Sequence, residues 1–238
     1  MSVSSNKSYT PTQNRLANFV RHAVAMIWPV TCPVCDKKLN FNESPLCLKC
    51  LASLPRIRTD QTINHVGAPD NKVNIRSWLV YEHENPAYYL IHHIKYHDRR
   101  NLARKLGREF AAQKLVDSNI DLILPIPIHW TKFVKRSYNQ TMEIARGVND
   151  LTDIPIGNNL FAPRPHSSQT KRDRQQRFEN VQNIFRIRNP HQLNDRHIAI
   201  LDDVITTGAT MFSALDQILS QSKPASITFL SIARTKQI

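Results

Sequence analysis

The segment Ile198-Ala199-Ile200-Leu201-Asp202-Asp203-Val204-Ile205-Thr206-Thr207-Gly208-Ala209-Thr210 decides how the chain is read. Four consecutive apolar residues make a strand buried on both faces, as in parallel sheets. Two carboxylates, Asp202 and Asp203, follow at its C-terminal end, the edge at which open α/β sheets bind ligands. Thr206 to Thr210 then turns the chain into a helix. Backbone amides around Gly208, Ala209 and Thr210 sit at that helix's N-terminus, where the macrodipole and the N–H groups attract a phosphate. Gly208 lets the backbone curl close to it, and the hydroxyls of Thr206, Thr207 and Thr210 add donors. The two acids suit neighbouring ribose hydroxyls, directly or through a magnesium ion. A P-loop would need Gly-x4-Gly-Lys-Ser/Thr, which the chain lacks.

Outward from this segment, short apolar strands alternate with helices. Leu122–Ile128 reads as a strand. Tyr138–Val148 reads as a helix with Tyr138, Met142, Ala145 and Val148 on one side. Ile198–Asp202 is the strand above, Thr207–Ser220 its helix, and Ser226–Ile232 a further strand. Upstream, Ile75–Tyr81 reads as a strand and Pro86 to Val116 as a long helical region with Leu102, Leu106, Phe110 and Leu115 as its buried stripe. The alternation predicts an α/β domain over residues 75–238, a parallel sheet flanked by helices. Pro163 to Asp195 is polar and long for a structureless loop, which points to a functional role. Residues 55–74, with Pro55, Gly67 and Pro69, read as a linker or surface loop.

The four cysteines are spaced Cys32-x2-Cys35-x11-Cys47-x2-Cys50. Each Cys-x2-Cys knuckle turns two thiolates toward one point, and two knuckles supply a tetrahedral site. Structural zinc is the expected occupant, in a zinc-ribbon-like module. Two disulfides, an iron–sulfur cluster or a decayed site are the other readings of such a set. Four cysteine ligands leave no position for substrate, so the metal is a folding staple or a docking knob rather than a catalyst. Leu16, Phe19, Val20, Ala23 and Ile27 recur at helical spacing, giving a helix from Gln13 to Trp28 that Pro29 stops. Helix and cysteines together form a unit over residues 13–56, and residues 1–12 are a frayed tail.

The chain has 238 residues, a net charge of +13 and 41% apolar residues. That affords a packed core and argues against global disorder. The charge favours polyanions, whether phosphorylated small molecules, nucleic acid or acidic membrane. Ala23–Trp28 is far too short to span a bilayer and lacks a cleavage site, so no membrane span and a cytoplasmic location are expected. His83, His92, His93 and His97 precede Arg99-Arg100; with no further ligands offered, they read as a polar helix surface.

The acidic strand end and its threonine loop resemble the phosphoribosyl pyrophosphate (PRPP) motif of type I phosphoribosyltransferases. More of the chain is similar to the competence protein F (ComF), amidophosphoribosyltransferase-like family. The resemblance is carried by the four-cysteine module ending in Leu54-Pro55, by Leu124-Pro125-Ile126-Pro127-Ile128-His129 with Arg136-Ser137-Tyr138-Asn139-Gln140, by Gln169 with Arg177-Phe178-Glu179-Asn180-Val181 and Phe185, and by the loop itself. It covers roughly residues 25–235. The family commonly has Gly and Phe where this chain has Ser137 and Tyr138, and Ser137 lacks glycine's backbone freedom.

The resemblance implies a type I phosphoribosyltransferase-like sheet with an N-terminal zinc module, and a role in natural competence or the use of external DNA. It implies PRPP as ligand, with Asp202 and Asp203 on ribose and magnesium and residues 206–210 on the 5′-phosphate. Arg136, Asn139, Gln140 and Lys95 are candidates to reach the phosphates. The basic run Gln169-Thr170-Lys171-Arg172-Asp173-Arg174-Gln175-Gln176-Arg177 falls where such enzymes carry a mobile flap; a solvated face and a grip on DNA phosphates are the other readings. Three functions stay open: a DNA-handling protein that binds PRPP and single-stranded DNA, an active transferase with an unidentified nitrogen acceptor, and a zinc-module adaptor for a DNA-uptake helicase or transport protein.

Overall fold

A computed structural model describes residues 31–39, 45–96, 99–128, 137–163 and 184–236. The Gln13–Trp28 helix, His129, Arg136, His97 and the basic run 169–177 lie outside the described residues. In chain order the elements are helix α1 (Leu48–Ala52), strands β1 (Gln61–Asn64) and β2 (Lys72–Val80), helices α2 (Pro86–Tyr96) and α3 (Arg100–Ala112), strand β3 (Leu122–Pro125), helix α4 (Gln140–Thr152), strands β4 (Leu160–Phe161), β5 (Arg186–Ile187) and β6 (His197–Ile205), helix α5 (Ala209–Leu219) and strand β7 (Ser226–Arg234).

Five strands form one sheet in the order β1-β2-β7-β6-β3. The pairs β2–β7, β7–β6 and β6–β3 are parallel; β1 joins β2 antiparallel. The architecture is therefore the expected α/β class with a mostly parallel sheet. Register brings the C-terminal ends of the parallel strands to one edge: Arg234 lies opposite both Val80 and Ile205, and Leu201 opposite Pro125. This is the edge where the acidic pair sits.

Each face of the sheet is covered. On one, α2, α3 and α4 contribute Leu90, Ile91, Ile94, Leu102, Leu106, Phe110, Ile144 and Val148 to a core with Ala199, Leu201, Leu230 and Ile232 of the sheet. On the other, α5 contributes Met211, Ala214, Leu215 and Ile218 against Ile198, Ile200, Ile227 and Phe229. Burying one such side chain as fully as Phe110 stabilises the fold by roughly 1.5–3 kcal/mol relative to exposure.

Local chemistry sets the helix ends. Asn85 caps α2: its Oδ1 accepts from Tyr88 N (2.9 Å) and its Nδ2 donates to Val80 O (2.7 Å), while Pro86 fits the first helical turn. Asn139 caps α4 through Thr141 N (3.1 Å), and Asp153 ends it in the left-handed conformation. Helices α3 and α4 cross at Gly107 and Gly147. A Cβ on Gly107 would collide with Ile144 O, and one on Gly147 with Arg104 O, so only hydrogen atoms fit between the backbones. Arg104 ties the crossing on the surface, its Nε donating to Asp150 Oδ2 at 2.8 Å. That hydrogen bond holds the Asp150 carboxyl below its ordinary range, against a small opposing effect of burial.

Several boundaries differ from the sequence expectation. Residues 55–74 are not merely a linker: they hold β1 and the start of β2, and Arg56 bridges Leu79. The helical region 86–116 is two helices, α2 ending at Tyr96 and α3 at Ala112, so Leu115 packs from beyond a helix end. The strand at 122 stops at Pro125, and α4 starts at Gln140 rather than Tyr138. The stretch 163–195 contains β5 and a 3-10 turn at Pro190–Leu193.

Candidate functional site

The β6 strand carries its acids to the ligand edge and gives them different surroundings. Asp203 is 3% exposed. Lys95 Nζ on α2 lies 3.0 Å from its Oδ1, and Gln140 Nε2 on α4 donates to its Oδ2 at 2.9 Å. The carboxylate is thus charge-balanced and hydrogen-bonded from two helices, the condition on which a buried charge is tolerated. Asp202 is half-buried, and its Oδ1 accepts the backbone N–H of Asp203 at 2.8 Å.

Beyond Ile205 the turn opens to solvent. Thr206, Thr207, Ala209 and Thr210 are exposed. Gly208 precedes the first residue of α5 with φ +76°, and a Cβ there would meet the Phe212 ring at 2.7 Å. Gly208, the residue before α5, has no side chain to cap it, the Thr207 hydroxyl makes only a long contact with Ala209 N (3.4 Å), and the first turn carries no acid. The helix therefore presents its positive end to whatever occupies the turn. The turn is held from behind: Thr235 N donates to Ile205 O (3.0 Å) and Thr235 Oγ1 to Thr206 O (3.0 Å).

Three of the expected phosphate contacts are engaged within the fold instead. Lys95 is held by Asp203 and Gln140 is buried on the same carboxylate, with its Oε1 buried and without a partner among the described residues. Asn139 spends its amide on Ile126 O (3.2 Å) and its Oδ1 on the α4 cap. These residues shape the edge from below. Ser137, where the resembled family commonly has Gly, has φ +61°, and its carbonyl accepts from Arg100 Nη2 at 2.9 Å. Tyr138 is buried and uses the hydroxyl that a Phe would lack to donate to Ile94 O at the end of α2.

Two residues at this edge carried no signal in the sequence. Arg234, 8% exposed, ends β7 beside Ile205. Tyr81 follows β2, its N–H donating to Arg234 O at 2.7 Å. Burial pushes the Tyr81 hydroxyl above its ordinary pKa, against the nearby charge of Lys95, with Tyr88, Asp203 and Tyr96 adding to the rise. Only register places them here, and one sequence does not display register.

The cysteines form a second site, packed against the C-terminal residues of β2, Trp78 and Leu79. The four ligand atoms lie within 4.8 Å of one another, and Cys35 Sγ is 3.6 Å from Cys47 Sγ. A tetrahedral metal with bonds of about 2.3 Å sets sulfurs about 3.8 Å apart. The donor set and spacing therefore fit a metal, and the cysteines are not joined as disulfides. Burial pushes the Cys32 thiol up, but the amides of Cys47, Val34 and Cys35 outweigh it and bring it down to about 7. The module is not a detached knob. Cys32, Leu46, Cys47, Cys50 and Leu54 share one core with Trp78, Leu79, Leu90 and Ile91. Val80 N donates to Pro55 O (2.7 Å) and Ile57 N to Trp78 O (2.8 Å), which pins the module to β2.

Among the described residues no helix is long and apolar enough to cross a membrane. No protein-family model matches the chain. It is 24% identical over 231 residues to the DNA utilization protein YhgH of Escherichia coli O157:H7, covering 87% of this chain and 98% of that one. It is 30% identical over 93 residues to competence protein F of Haemophilus influenzae, covering 38% of this chain and 41% of that one. Among solved structures it aligns with the allosteric regulatory enzyme of purine biosynthesis, at 14% identity and a TM-score of 0.44, over 59% of this chain and 30% of that larger one. The near full-length match and the shorter one agree with the motifs read in the sequence: the chain is similar to the DNA utilization proteins and, over part of its length, to competence protein F.

Proposed function

We propose that this chain serves DNA uptake or utilisation and binds PRPP, with magnesium, at the C-terminal edge of its parallel sheet. The observation that carries the ligand is the β6–α5 turn: an acidic strand end, exposed threonines and a helix start behind a glycine at φ +76°. The cellular role is carried by the relatives, whose names speak of DNA utilisation and competence.

In this reading the amides and hydroxyls of residues 206–210 take the 5′-phosphate, and Asp202 takes the ribose hydroxyls. Asp203 stays paired beneath, fixing Lys95 and the start of α4 around the ligand. Bound magnesium would neutralise the pyrophosphate, with the strand-end acids as its protein partners. The cysteine site holds zinc and stiffens the sheet edge at β2.

Calorimetric titration of magnesium–PRPP into the protein and into an Asp202→Ala/Asp203→Ala variant tests the site. Binding by the parent and its loss in the folded variant supports the proposal. Absence of binding by the folded parent sinks it.

A further inference from the structure

Helix α2 carries a row of rings that the site above leaves unused. Tyr88, His92 and Tyr96 recur every four residues, so they lie one above another along one face. The Tyr88 and His92 ring centroids are 6.1 Å apart with planes inclined 27°; His92 and Tyr96 are 4.6 Å apart at 41°. Tyr81 (5.9 Å) and His83 (5.0 Å) pack on Tyr88 at the near end, and Tyr89 meets it edge-on at 5.6 Å. The row is a surface feature: His92 is exposed, Tyr89 is 40% exposed and Tyr96, the last ring, 62%.

Aromatic rings grouped at a surface mark a binding face rather than a solvated one. Their surroundings say for what. Arg99 and Arg100 follow the last ring by three and four residues in the sequence, while Lys95, its sequence neighbour, is paired with Asp203. Glu82 and Glu84 are at the opposite end, where Lys236 pairs with Glu82 at 2.6 Å and His83 lies 3.7 Å from Glu84; at the Tyr96 end Asp203 takes up the charge of Lys95, and Asp98 precedes the two arginines in the sequence. Cations beside an exposed ring, in a chain of net charge +13, suit a ligand with flat π-faces on an anionic backbone. Every nucleobase has such a face, and stacking on aromatic side chains is how single strands are held without sequence preference.

We propose that the outer face of α2 is a stacking platform for single-stranded DNA. A base extends the Tyr88–His92–Tyr96 row at its exposed Tyr96 end, and its phosphates run toward Arg99 and Arg100. Choosing DNA over RNA rests on the DNA-utilisation role proposed above; the platform itself does not rest on PRPP binding.

Fluorescence anisotropy of a labelled oligodeoxythymidylate of about 20 nucleotides, without PRPP, tests it. The parent protein should bind, and Tyr88→Ala/His92→Ala/Tyr96→Ala should bind at least about tenfold more weakly, the effect of losing one stacked base. Tyr88→Phe/Tyr96→Phe, which keeps the rings, should stay within about threefold of the parent. A strand of the same length lacking bases should bind the parent as weakly as the intact strand binds the triple variant. Tyr96→Ala alone, at an exposed ring, guards against misfolding and should give most of the loss. Equal binding of intact and base-free strands, or unchanged binding by folded ring variants, overturns the proposal. Calorimetry with PRPP on the same proteins reads the other site, so the two proposals fail separately.

Discussion

The cysteine module and the β6–α5 turn are both short motifs of small residues, and they face opposite ways. Three of the four cysteines are buried, in one core with β2 and α2. The threonines of the turn are exposed, over a helix start that follows a glycine and meets one threonine hydroxyl at 3.4 Å. One motif satisfies its groups within the protein and therefore contributes stability; the other holds donors open and therefore has capacity to bind. Asp203 and Asp202 repeat the contrast at adjacent positions, the first paired inside and the second at the rim.

The largest expected effect breaks the closed side. Stripping the metal with a chelator, or Cys50→Ser, should destabilise by on the order of 5 kcal/mol, because a structural site's binding energy is folding energy. In a chain of this size that lowers the melting point by about 10–20 °C in a thermal scan. Equal melting with and without metal would mean that the module is an attachment and the contrast false. Gly208→Ala should cost about 1–2 kcal/mol for the left-handed backbone alone, with the Phe212 ring as an added obstacle, and should weaken PRPP binding by at least about tenfold through the displaced phosphate amides.

The two aspartates sharpen the comparison. Asp203→Asn should cost about 1–2 kcal/mol in denaturant unfolding, less than a fully buried pair because Lys95 keeps some contact with water. Asp202→Asn should change stability by less than about 0.5 kcal/mol and act on PRPP binding instead. Equal stability losses would show that the acids are not divided between structure and ligand. One small effect is a gain: Ser137→Gly removes a side chain from φ +61° and should stabilise by about 0.5–1 kcal/mol.

The motifs whose meaning is local were legible in the sequence. Ile198–Asp202 is apolar enough to be a buried strand whatever surrounds it, Gly208 sits where the turn requires it, and the cysteine spacing brings its own sulfurs together. What depends on distant partners was hidden. Gln61–Asn64 is short and polar, and it is a strand only because β2 offers an edge. The break after Tyr96 has no proline or glycine to announce it. Lys95 and Gln140 read as exposed ligand contacts because nothing local shows that Asp203 lies between them. The ring row was visible only as a histidine cluster, since tyrosines and histidines four apart become one surface only after the helix is placed.

The pairing of β2 with β7 also fixes an order of events during synthesis. Strand β2 leaves the ribosome well before its parallel partner, Ser226–Arg234. At roughly 5–20 residues per second, the intervening chain takes roughly 10–30 s to make. For that interval β2 has β1 on one side and an open edge on the other, where stray strands can pair. The cysteine module, pinned to the end of β2 and made before β7, can fold while the sheet is still unfinished, so a metal bound there would already hold that end of β2 in the nascent chain.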